Sequence, residues 1–463
     1  MKVLKMLMSL LLTLCIGLTG VTVGSAQTTD YLEWPEKTSI DPNHDWTIKW
    51  NQELDANTVN NNNIYVQHDL DKVEGVKVSL NADKKSIKVE APEEGYSPEE
   101  SYYLFVEKSV KSLKGKELMQ PIKMKFTTKH VISSLHSKEE IIQKWNEYKP
   151  TFEGNPYIET PSISSPYSPG SLKPAFLEDG LNMANFVRYL TGLPDNLVLD
   201  EALNEQAQYG AVLTAANGYL SHFPEKPEDM PEGFYNIGYQ ATSTSNLHYA
   251  FTSSNLHFNS KQTDFIESGT LAYSVKSYMD DHGTSNLQSV GHRRWILSPQ
   301  LKNIGFGYAT KPSSQYSGYT QAFTPMKVFD KSGPPATSTY TTWPSAGYFP
   351  VQFFDDPATP WSIHLNYNEF LDPIIDYNGE VTVELVRKND GKKWTFNDLD
   401  KGEKFFNVDT SGYGDSFGVI FKPDNITSYN EGEVFSIKVS GLRDINNLPV
   451  TINYEVELFD ILH

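Results

Sequence analysis

Two glycines, Gly305 and Gly307, alternate with the large apolar residues Ile304, Phe306 and Tyr308. Alternation with a period of two residues predicts a β-strand. A glycine inside a strand usually marks a place where another backbone comes close. This stretch therefore predicts a strand that another part of the protein approaches closely, which limits how the surrounding domain can fold.

The segment before this strand, Ser289–Ser298, is unusual in an acidic chain because it carries a histidine, two arginines and a tryptophan. We interpret it as a loop. Arg293 and Arg294 could bind a carboxylate or phosphate group of a ligand. One of them could instead pair with Asp280 or Asp281 and fix the loop, and we expect such a structural role for at least one of the two.

The first residues of the chain have the features of an export signal. Lys2 and Lys5 precede a long apolar run, and the small residues at 24–26 suit cleavage, so residues 1–26 are predicted to be a signal peptide. An uncleaved membrane anchor is the alternative. No later segment is long and apolar enough to span a bilayer. We therefore expect a secreted, extracellular protein with no membrane span in its mature form.

Charge and cysteine content exclude several classes of function. The net charge of −19 repels phosphate backbones and anionic lipid surfaces, so nucleic-acid binding is not expected. The single cysteine, Cys15, lies inside the predicted signal peptide. The mature protein would then have no disulfide and no thiolate chemistry, and its domains must be held together by packing alone.

The length of 463 residues suggests about three domains. Residues 27–130 contain short alternating strands separated by turn residues, the pattern of an antiparallel sandwich. Residues 331–463 alternate in the same way, and Trp361–Leu365 echoes Trp46–Trp50. We therefore expect two related β-sandwiches at the two ends of the chain.

Between the sandwiches, the pattern changes to helices. In residues 131–175, Ser137 and Glu140 form a capping box for a short helix, and a proline- and serine-rich linker follows. Residues 176–330 combine helical spacing with a few strands, which indicates an α+β domain. One predicted helix ends at Gly218, shortly before His222, and a later one ends near Asp281.

Several short motifs in the middle domain occur in an order and spacing that resemble a known family. They are Leu181-Asn182 through Arg188, Gly192-Leu193, Leu203 with Ala207, Leu220-Ser221-His222, Gly238-Tyr239, Ser245-Asn246-Leu247, Gly291-His292-Arg293, Ile304–Gly307 and Tyr319–Phe323. Together they resemble the CAP superfamily (cysteine-rich secretory proteins, antigen 5 and pathogenesis-related proteins), in its bacterial secreted branch. The implied fold is a central α-β-α sandwich, and the flanking region 27–130 resembles a bacterial Ig-like module.

The resemblance also implies a cleft with two histidines and two acids. His222 and His292 match the histidines, and Asp281 matches the second acid, although Asp280 is adjacent. Ser245 stands where the family has its first carboxylate. Two imidazoles suit a divalent metal such as zinc, but zinc is held firmly by three or four protein ligands. Zinc could therefore bind weakly here or not at all, leaving a hydrogen-bonded histidine pair in a polar cleft.

Three functions follow from these observations. The first is a secreted, non-catalytic protein that binds a small ligand, a glycan or a cell-wall or host-surface component, with Ser245, Asn246, Arg293 and Arg294 as candidate binding residues. The second is a weak metal-dependent hydrolase of peptides or nucleic acid, centred on His222, His292 and Asp281. The third is an adhesin or structural spacer that acts through its surfaces.

Overall fold

The computed structural model describes residues 31–262, 265–283, 285–335, 337–354, 356–375, 380–398 and 404–463. The predicted signal peptide, with Cys15, lies outside these residues. The chain divides into two compact units, one ending at Val131 and the other spanning Ile132–His463. Within the described ranges, no helix has the length and apolar character needed to cross a membrane.

The first unit is a β-sandwich. Its strands are β1 (Leu32–Ile40), β2 (Trp46–Lys49), β3 (Ile64–His68), β4 (Asp71–Lys72), β5 (Lys77–Leu80), β6 (Ser86–Glu90), β7 (Ser101–Val106) and β8 (Ile122–Thr128). One sheet has the order β1-β8-β7-β3-β4 and the other the order β2-β6-β5. Strands β1 and β8 run parallel. Alternate residues of β8 are buried, as the period-two sequence pattern requires, and Trp46 of β2 packs on Phe126 of β8 at 5.1 Å between ring centroids.

The second unit begins with helices and short strands. Its elements are α1 (Lys138–Tyr148), β9 (Glu153–Gly154), β10 (Tyr157–Glu159), β11 (Ser171–Leu172), α2 (Pro174–Leu190), β12 (Val198–Leu199), α3 (Glu201–Asn217), α4 (Glu232–Ser243), β13 (Ser245–Ser253), β14 (Phe258–Asn259), α5 (Leu271–Asp280), α6 (Gly291–Ile296), β15 (Asn303–Phe306), β16 (Ala309–Pro312) and β17 (Tyr319–Lys327).

These elements form three layers around one sheet. The sheet has the order β12-β15-β17-β13, with β16 also pairing with β17. A Cβ atom on Gly305 would lie 2.4 Å from the carbonyl carbon of Leu203 in α3, and one on Gly307 would lie 2.1 Å from the carbonyl oxygen of Ala207. Phe306 faces the opposite side and meets Gly180 of α2. Helices thus cover both faces, which confirms the α-β-α sandwich and explains the two glycines.

Three local features differ from the sequence-based expectations. The proline- and serine-rich segment after α1 does more than link domains, since Phe152, Tyr157 and Leu172 lie in the core. The predicted capping box at Ser137, in contrast, is formed. Helix α4 was not predicted. Residues 291–296, interpreted as a loop, form the short helix α6.

The remaining strands form a second β-sandwich within the same unit. They are β18 (Tyr340–Trp343), β19 (Gly347–Pro350), β20 (Trp361–Asn366), β21 (Thr382–Arg387), β22 (Lys392–Phe396), β23 (Phe405–Asp409), β24 (Ser416–Lys422), β25 (Val434–Arg443) and β26 (Pro449–Phe459). The sheets have the orders β19-β26-β25-β21-β22 and β18-β20-β24-β23. They pack face to face, because Trp361 of β20 lies 5.3 Å from Phe435 of β25 and Phe396 of β22 lies 5.1 Å from Phe421 of β24.

The two sandwiches have the same strand order. When β19–β26 are matched in chain order to β1–β8, both sheets agree strand by strand, including the parallel pairing of the first and last strands, and β18 is an addition. The sandwiches differ in how their cores are built. The first unit has a core of its own, whereas one continuous core joins the second sandwich to the α-β-α domain.

Candidate functional site

An open cavity of about 850 Å³ lies between strand β13, helix α5 and the segment that leads into α6. Its polar lining is dominated by imidazoles and carboxylates: His248, His282, His292, Asp280, Asp281 and Asp356. Asp356 belongs to the region of the second sandwich, just before β20. The cavity is therefore built from both parts of the second unit.

At the centre of the cavity wall, a buried carboxylate orients His292. Helix α5 ends at Asp281, whose backbone takes a left-handed conformation with φ of 46°. This turn brings Asp281 Oδ1 to 3.0 Å from Nδ1 of His292, while Oδ2 accepts the backbone N–H of Arg293 at 3.3 Å. A carboxylate can only accept, so Nδ1 of His292 donates to it, and in the neutral ring Nε2 has the lone pair. Asn286 Nδ2 also lies 3.3 Å from Nδ1.

A second imidazole, His248 of β13, shares this cavity. Its Nδ1 lies 3.3 Å from the hydroxyl of Ser274. Burial, helped by the nearby His292, lowers the pKa of His248 to about 4, so this ring is neutral at pH 7. The ring of Tyr278 contacts both imidazoles, with centroid distances of 6.0 Å to His248 and 5.5 Å to His292. The two histidines of this cavity wall are thus His248 and His292, and the ring of Tyr278 contacts both.

His222 takes a different place from the one expected. It is exposed, and its Nδ1 lies 2.9 Å from the carbonyl oxygen of Thr242 at the end of α4. Leu220, two residues earlier, lines the cavity, but His222 is not among the residues that do. The expectation that His222 and His292 line one cleft is corrected by these contacts.

The two expected binding residues at the start of β13 are buried and turned away from a ligand. The hydroxyl of Ser245 donates to the carbonyl of Ala241 in α4 at 2.7 Å. The side chain of Asn246 donates to the backbone carbonyl of His292 at 2.9 Å. Neither residue lines the cavity. Asn246 therefore positions His292 rather than a ligand, and Ser245 only closes the turn between α4 and β13.

Arg293 connects the end of α5 to the second sandwich. Its side chain is fully buried. The guanidinium donates to the carbonyls of Met279 at 2.7 Å and Asp280 at 3.0 Å, and also to the carbonyl of Pro360 and the hydroxyl of Ser362. Burial lowers the pKa of Arg293 to about 10, which leaves it charged at pH 7. These contacts correct the expectation that it binds a ligand, and its bond to the 280–281 turn is made to the backbone carbonyl of Asp280.

Arg294 is also buried and contacts the same sandwich at other strands. Its guanidinium forms an ion pair with Asp409 of β23 and donates to the carbonyl and hydroxyl oxygens of Ser416 at the start of β24. It further donates to the carbonyl of Tyr413 at 3.1 Å. Arg294 therefore fastens α6 to the second sandwich and does not face a ligand. No alternation or spacing in the sequence indicates these partners, since they lie more than a hundred residues further along.

The donor set of the cleft does not match a zinc site. Across the parts of the chain that the structure describes, no three His, Cys, Asp or Glu side chains are grouped to hold a metal ion. Tyr278 contacts both cavity imidazoles, and Asp281 is already hydrogen-bonded to Nδ1 of His292. The suggested zinc site at His222 and His292 has no support from this geometry, and no reaction step is derived through a metal.

Comparisons with known families agree with this architecture. Residues 181–324 match the model of the cysteine-rich secretory protein family, CAP, and residues 34–128 match that of a bacterial Ig-like domain. The chain therefore contains a CAP domain preceded by a bacterial Ig-like domain. No curated protein sequence matches the chain.

Solved structures resemble the chain only distantly. The bacterial S-layer protein SbsC is 10% identical, with 92% of this chain and 54% of that chain covered and a TM-score of 0.18. E. coli alpha-2-macroglobulin is also 10% identical, with 91% and 33% covered and a TM-score of 0.19. The chain thus spans about a third to a half of the length of these structures. Scores this low carry no argument about fold or function.

Proposed function

We propose that the chain is an exported bacterial CAP-domain protein that binds a small, hydroxyl-rich ligand in the His248–His292 cleft without converting it chemically. A CAP domain alone does not define an activity, because one fold hosts unrelated functions. The proposal therefore depends on the geometry of the cleft.

The observation that carries the proposal is the state of His292. Its Nδ1 is held by a buried carboxylate, so Nε2 of the neutral ring is a hydrogen-bond acceptor with a fixed direction. Among the residues described, Asp281 accepts the Nδ1–H of the ring, and no hydroxyl nucleophile is hydrogen-bonded to the ring. An oriented base with no nucleophile and no metal cluster favours recognition over catalysis.

The surroundings indicate what kind of ligand fits. Asp280, Asp281 and Asp356 give the cavity an acidic lining, and Tyr273 and Tyr249 add aromatic surface. This combination of acceptors and rings suits a neutral molecule with many hydroxyl donors, and it disfavours anions.

Export to the cell surface or the medium is part of the same proposal. The predicted signal peptide and the bacterial Ig-like domain support it. The chain has no other cysteine than Cys15, which is compatible with export without disulfides.

The alternative function is hydrolysis, and the Asp281–His292 pair is the observation that favours it. Such a pair could act as a general base on a water molecule. The catalytic set first suggested, His222 with His292 and Asp281, is not assembled in the cavity. Hydrolysis would then have to proceed from the carboxylate–imidazole pair alone.

Isothermal titration of the full-length protein with neutral sugars, wall fragments and lipids tests the proposal. The imidazole resonances of His292, followed by NMR, show whether a ligand occupies the cleft. We expect binding that His292→Ala weakens about tenfold, because one directed hydrogen bond to an oriented group is lost. His222→Ala is the matched control, since His222 is an exposed histidine that does not line the cavity.

Two results would count against the proposal. Binding that leaves the His292 resonances unmoved would place the ligand elsewhere and favour an adhesin acting through its surfaces. Release of product from a peptide or sugar probe, abolished by His292→Ala and by Asp281→Asn, would establish the hydrolase instead.

A further inference from the structure

A band of aromatic rings leads out of the cleft along strand β13. Tyr249 lines the cavity and contacts Phe251 at 6.1 Å between centroids. Phe251 contacts Tyr316 at 5.0 Å, and Tyr316 contacts Tyr319 at 6.5 Å. The three tyrosines are 45%, 47% and 52% exposed, in that order. These connected and partly exposed rings form an aromatic surface that begins at the cavity. We call this surface the aromatic band; its members are Tyr249, Phe251, Tyr316 and Tyr319.

The sheet register explains why the rings lie in a row. Tyr249 and Phe251 are two residues apart, so they share one face of β13. On the neighbouring strand, Phe323 is opposite Tyr249, and Tyr319 is opposite Ser253. Phe323 is buried in a small core with residues of α3, which ends at Asn217. The band therefore continues the apolar face of the sheet beyond the region where α3 buries it.

We propose that the aromatic band is a set of subsites for a neutral oligosaccharide chain whose end occupies the cleft. This inference rests on the proposed function and names the class of its ligand. Sugar rings have apolar faces that pack on aromatic rings and hydroxyl groups that bond to tyrosine hydroxyls. His248 and Tyr249 are neighbours in β13 and face opposite sides of it, but β13 is the edge strand of the sheet and both residues line the cavity. A chain that bends over this edge can therefore occupy both the cleft and the band.

The shape of the band separates a sugar chain from other apolar ligands. Neighbouring rings meet at 81°, 89° and 74°, so they form no single flat surface. A rigid fused-ring ligand needs such a flat surface. A chain of separate units joined by rotatable bonds can meet each ring in turn, and three of the four rings carry hydroxyls that a purely apolar ligand would leave unused.

Charge selects a neutral chain. The cavity from which the band starts is lined by Asp280, Asp281 and Asp356. Lys276 lies 3.2 Å from Asp280, which offsets its charge. An anionic polymer entering the cleft would meet net negative charge, and it would be repelled most strongly at low salt.

The test is a length series of N-acetylglucosamine oligomers, from two to six units, titrated calorimetrically into the full-length protein. Affinity is expected to increase with length. Tyr316→Ala and Tyr319→Ala should each weaken the hexamer about fivefold and leave the dimer unchanged, because only the longer chain reaches those rings. Tyr367→Ala is the control, since Tyr367 is 40% exposed and lies in the second sandwich.

The outcomes separate this inference from the proposed function. If dimer and hexamer bind equally in the cleft and the Tyr316 and Tyr319 variants change neither, the band is not a subsite and the cleft remains a binding site. If no oligomer binds while a ligand of another class moves the His292 resonances, the oligosaccharide proposal fails alone. If no probe of any class moves those resonances, both proposals fail. Thermal melting of each variant, expected to match the wild type, excludes misfolding as the cause.

Discussion

The two β-sandwiches of this chain share one strand order, but they stand in different relations to their surroundings. The first, in residues 31–131, has its own core. The second shares a core with the CAP domain and receives Arg293 and Arg294 from α6. The same topology thus serves once as a separate module and once as part of the wall that supports a cleft.

The shared core of the second unit shows how the second sandwich supports the cleft. The carbonyls that end α5 and the sandwich groups at Pro360 and Ser362 bond to one guanidinium, that of Arg293. The backbone of the same residue donates to Asp281, which orients His292. The second sandwich is therefore a structural component of the site, although its sequence carries no catalytic motif.

Removing each sandwich in turn is expected to give the largest contrast. Without residues 331–463, the CAP domain should lose cooperative unfolding, because the shared core would expose residues that now pack against Trp343 and Phe349. Without residues 27–131, the rest of the chain should unfold as it does in the full-length protein. Circular dichroism melting and limited proteolysis measure both. A cooperative melt of residues 132–330 alone would contradict this account.

Replacing Arg293 by methionine should have the next largest effect. We expect the free energy of unfolding of the second unit to decrease by about 3 kcal/mol or more, because several buried acceptors lose their donor. Arg387→Met is the matched control. Its side chain in β21 is partly exposed and pairs with Asp390 and Glu433, so its loss should cost about 1 kcal/mol. If urea denaturation gave equal losses of unfolding free energy for the two variants, the buried contacts of Arg293 would stabilise the protein no more than a surface ion pair does.

Much of the central fold is predictable from sequence because its signals are local. The alternating glycines at 305 and 307 predict a close approach, and α3 provides it. Asp281 is predicted at a helix end near the site, and it lies there. Helix α4 is not predicted because it contains Gly233 and Gly238, and glycine has a low helix propensity.

The cleft itself is only half predictable. His292 is predicted as a cleft residue and lines the cavity, whereas His248, which also lines it, is not predicted, because a histidine in an alternating strand gives no sign of which face it occupies. The partners of Arg293 and Arg294 are also hidden. They are backbone carbonyls and hydroxyls of the second sandwich, and the sequence does not indicate that strands so far along the chain return to α6.

Acid sensitivity should also distinguish the two units. The pKa of His248 in the folded protein, about 4, is below its ordinary value of 6.5, so the unfolded state binds more protons between these values. The free energy of unfolding should then decrease as pH falls from 6.5 towards 4, with no contribution from this residue above that range. His364 should also lower the free energy of unfolding as the pH falls, since burial and the two nearby arginines hold its pKa well below the ordinary value.

The variant His248→Asn should reduce this acid dependence without abolishing it. In the first unit, burial also lowers the pKa of His44, so His44→Asn should reduce the acid dependence of that unit and leave that of the second unit unchanged. Urea midpoints at pH 7.0 and 5.0 measure the change. An unaltered pH dependence in His248→Asn would mean that this imidazole is not kept neutral by the fold.

The smallest contrast concerns surface ion pairs. Lys138 of α1 lies 2.6 Å from Glu457 of β26 and 4.9 Å from the ring of Tyr348, so Lys138→Ala should cost about 1 kcal/mol. Lys125→Ala breaks the comparable pair with Glu36 in the first sandwich and should cost less, because that pair is more exposed. Chemical denaturation of each unit resolves the difference. A larger loss for Lys125→Ala would reverse the comparison.

Differential scanning calorimetry of the full-length protein tests the central claim most directly, because it counts the units that unfold together. The account predicts two transitions, one for the first sandwich and one for the CAP domain with the second sandwich, and Arg293→Met should lower only the temperature of the latter. Separate transitions for the CAP domain and the second sandwich would contradict it.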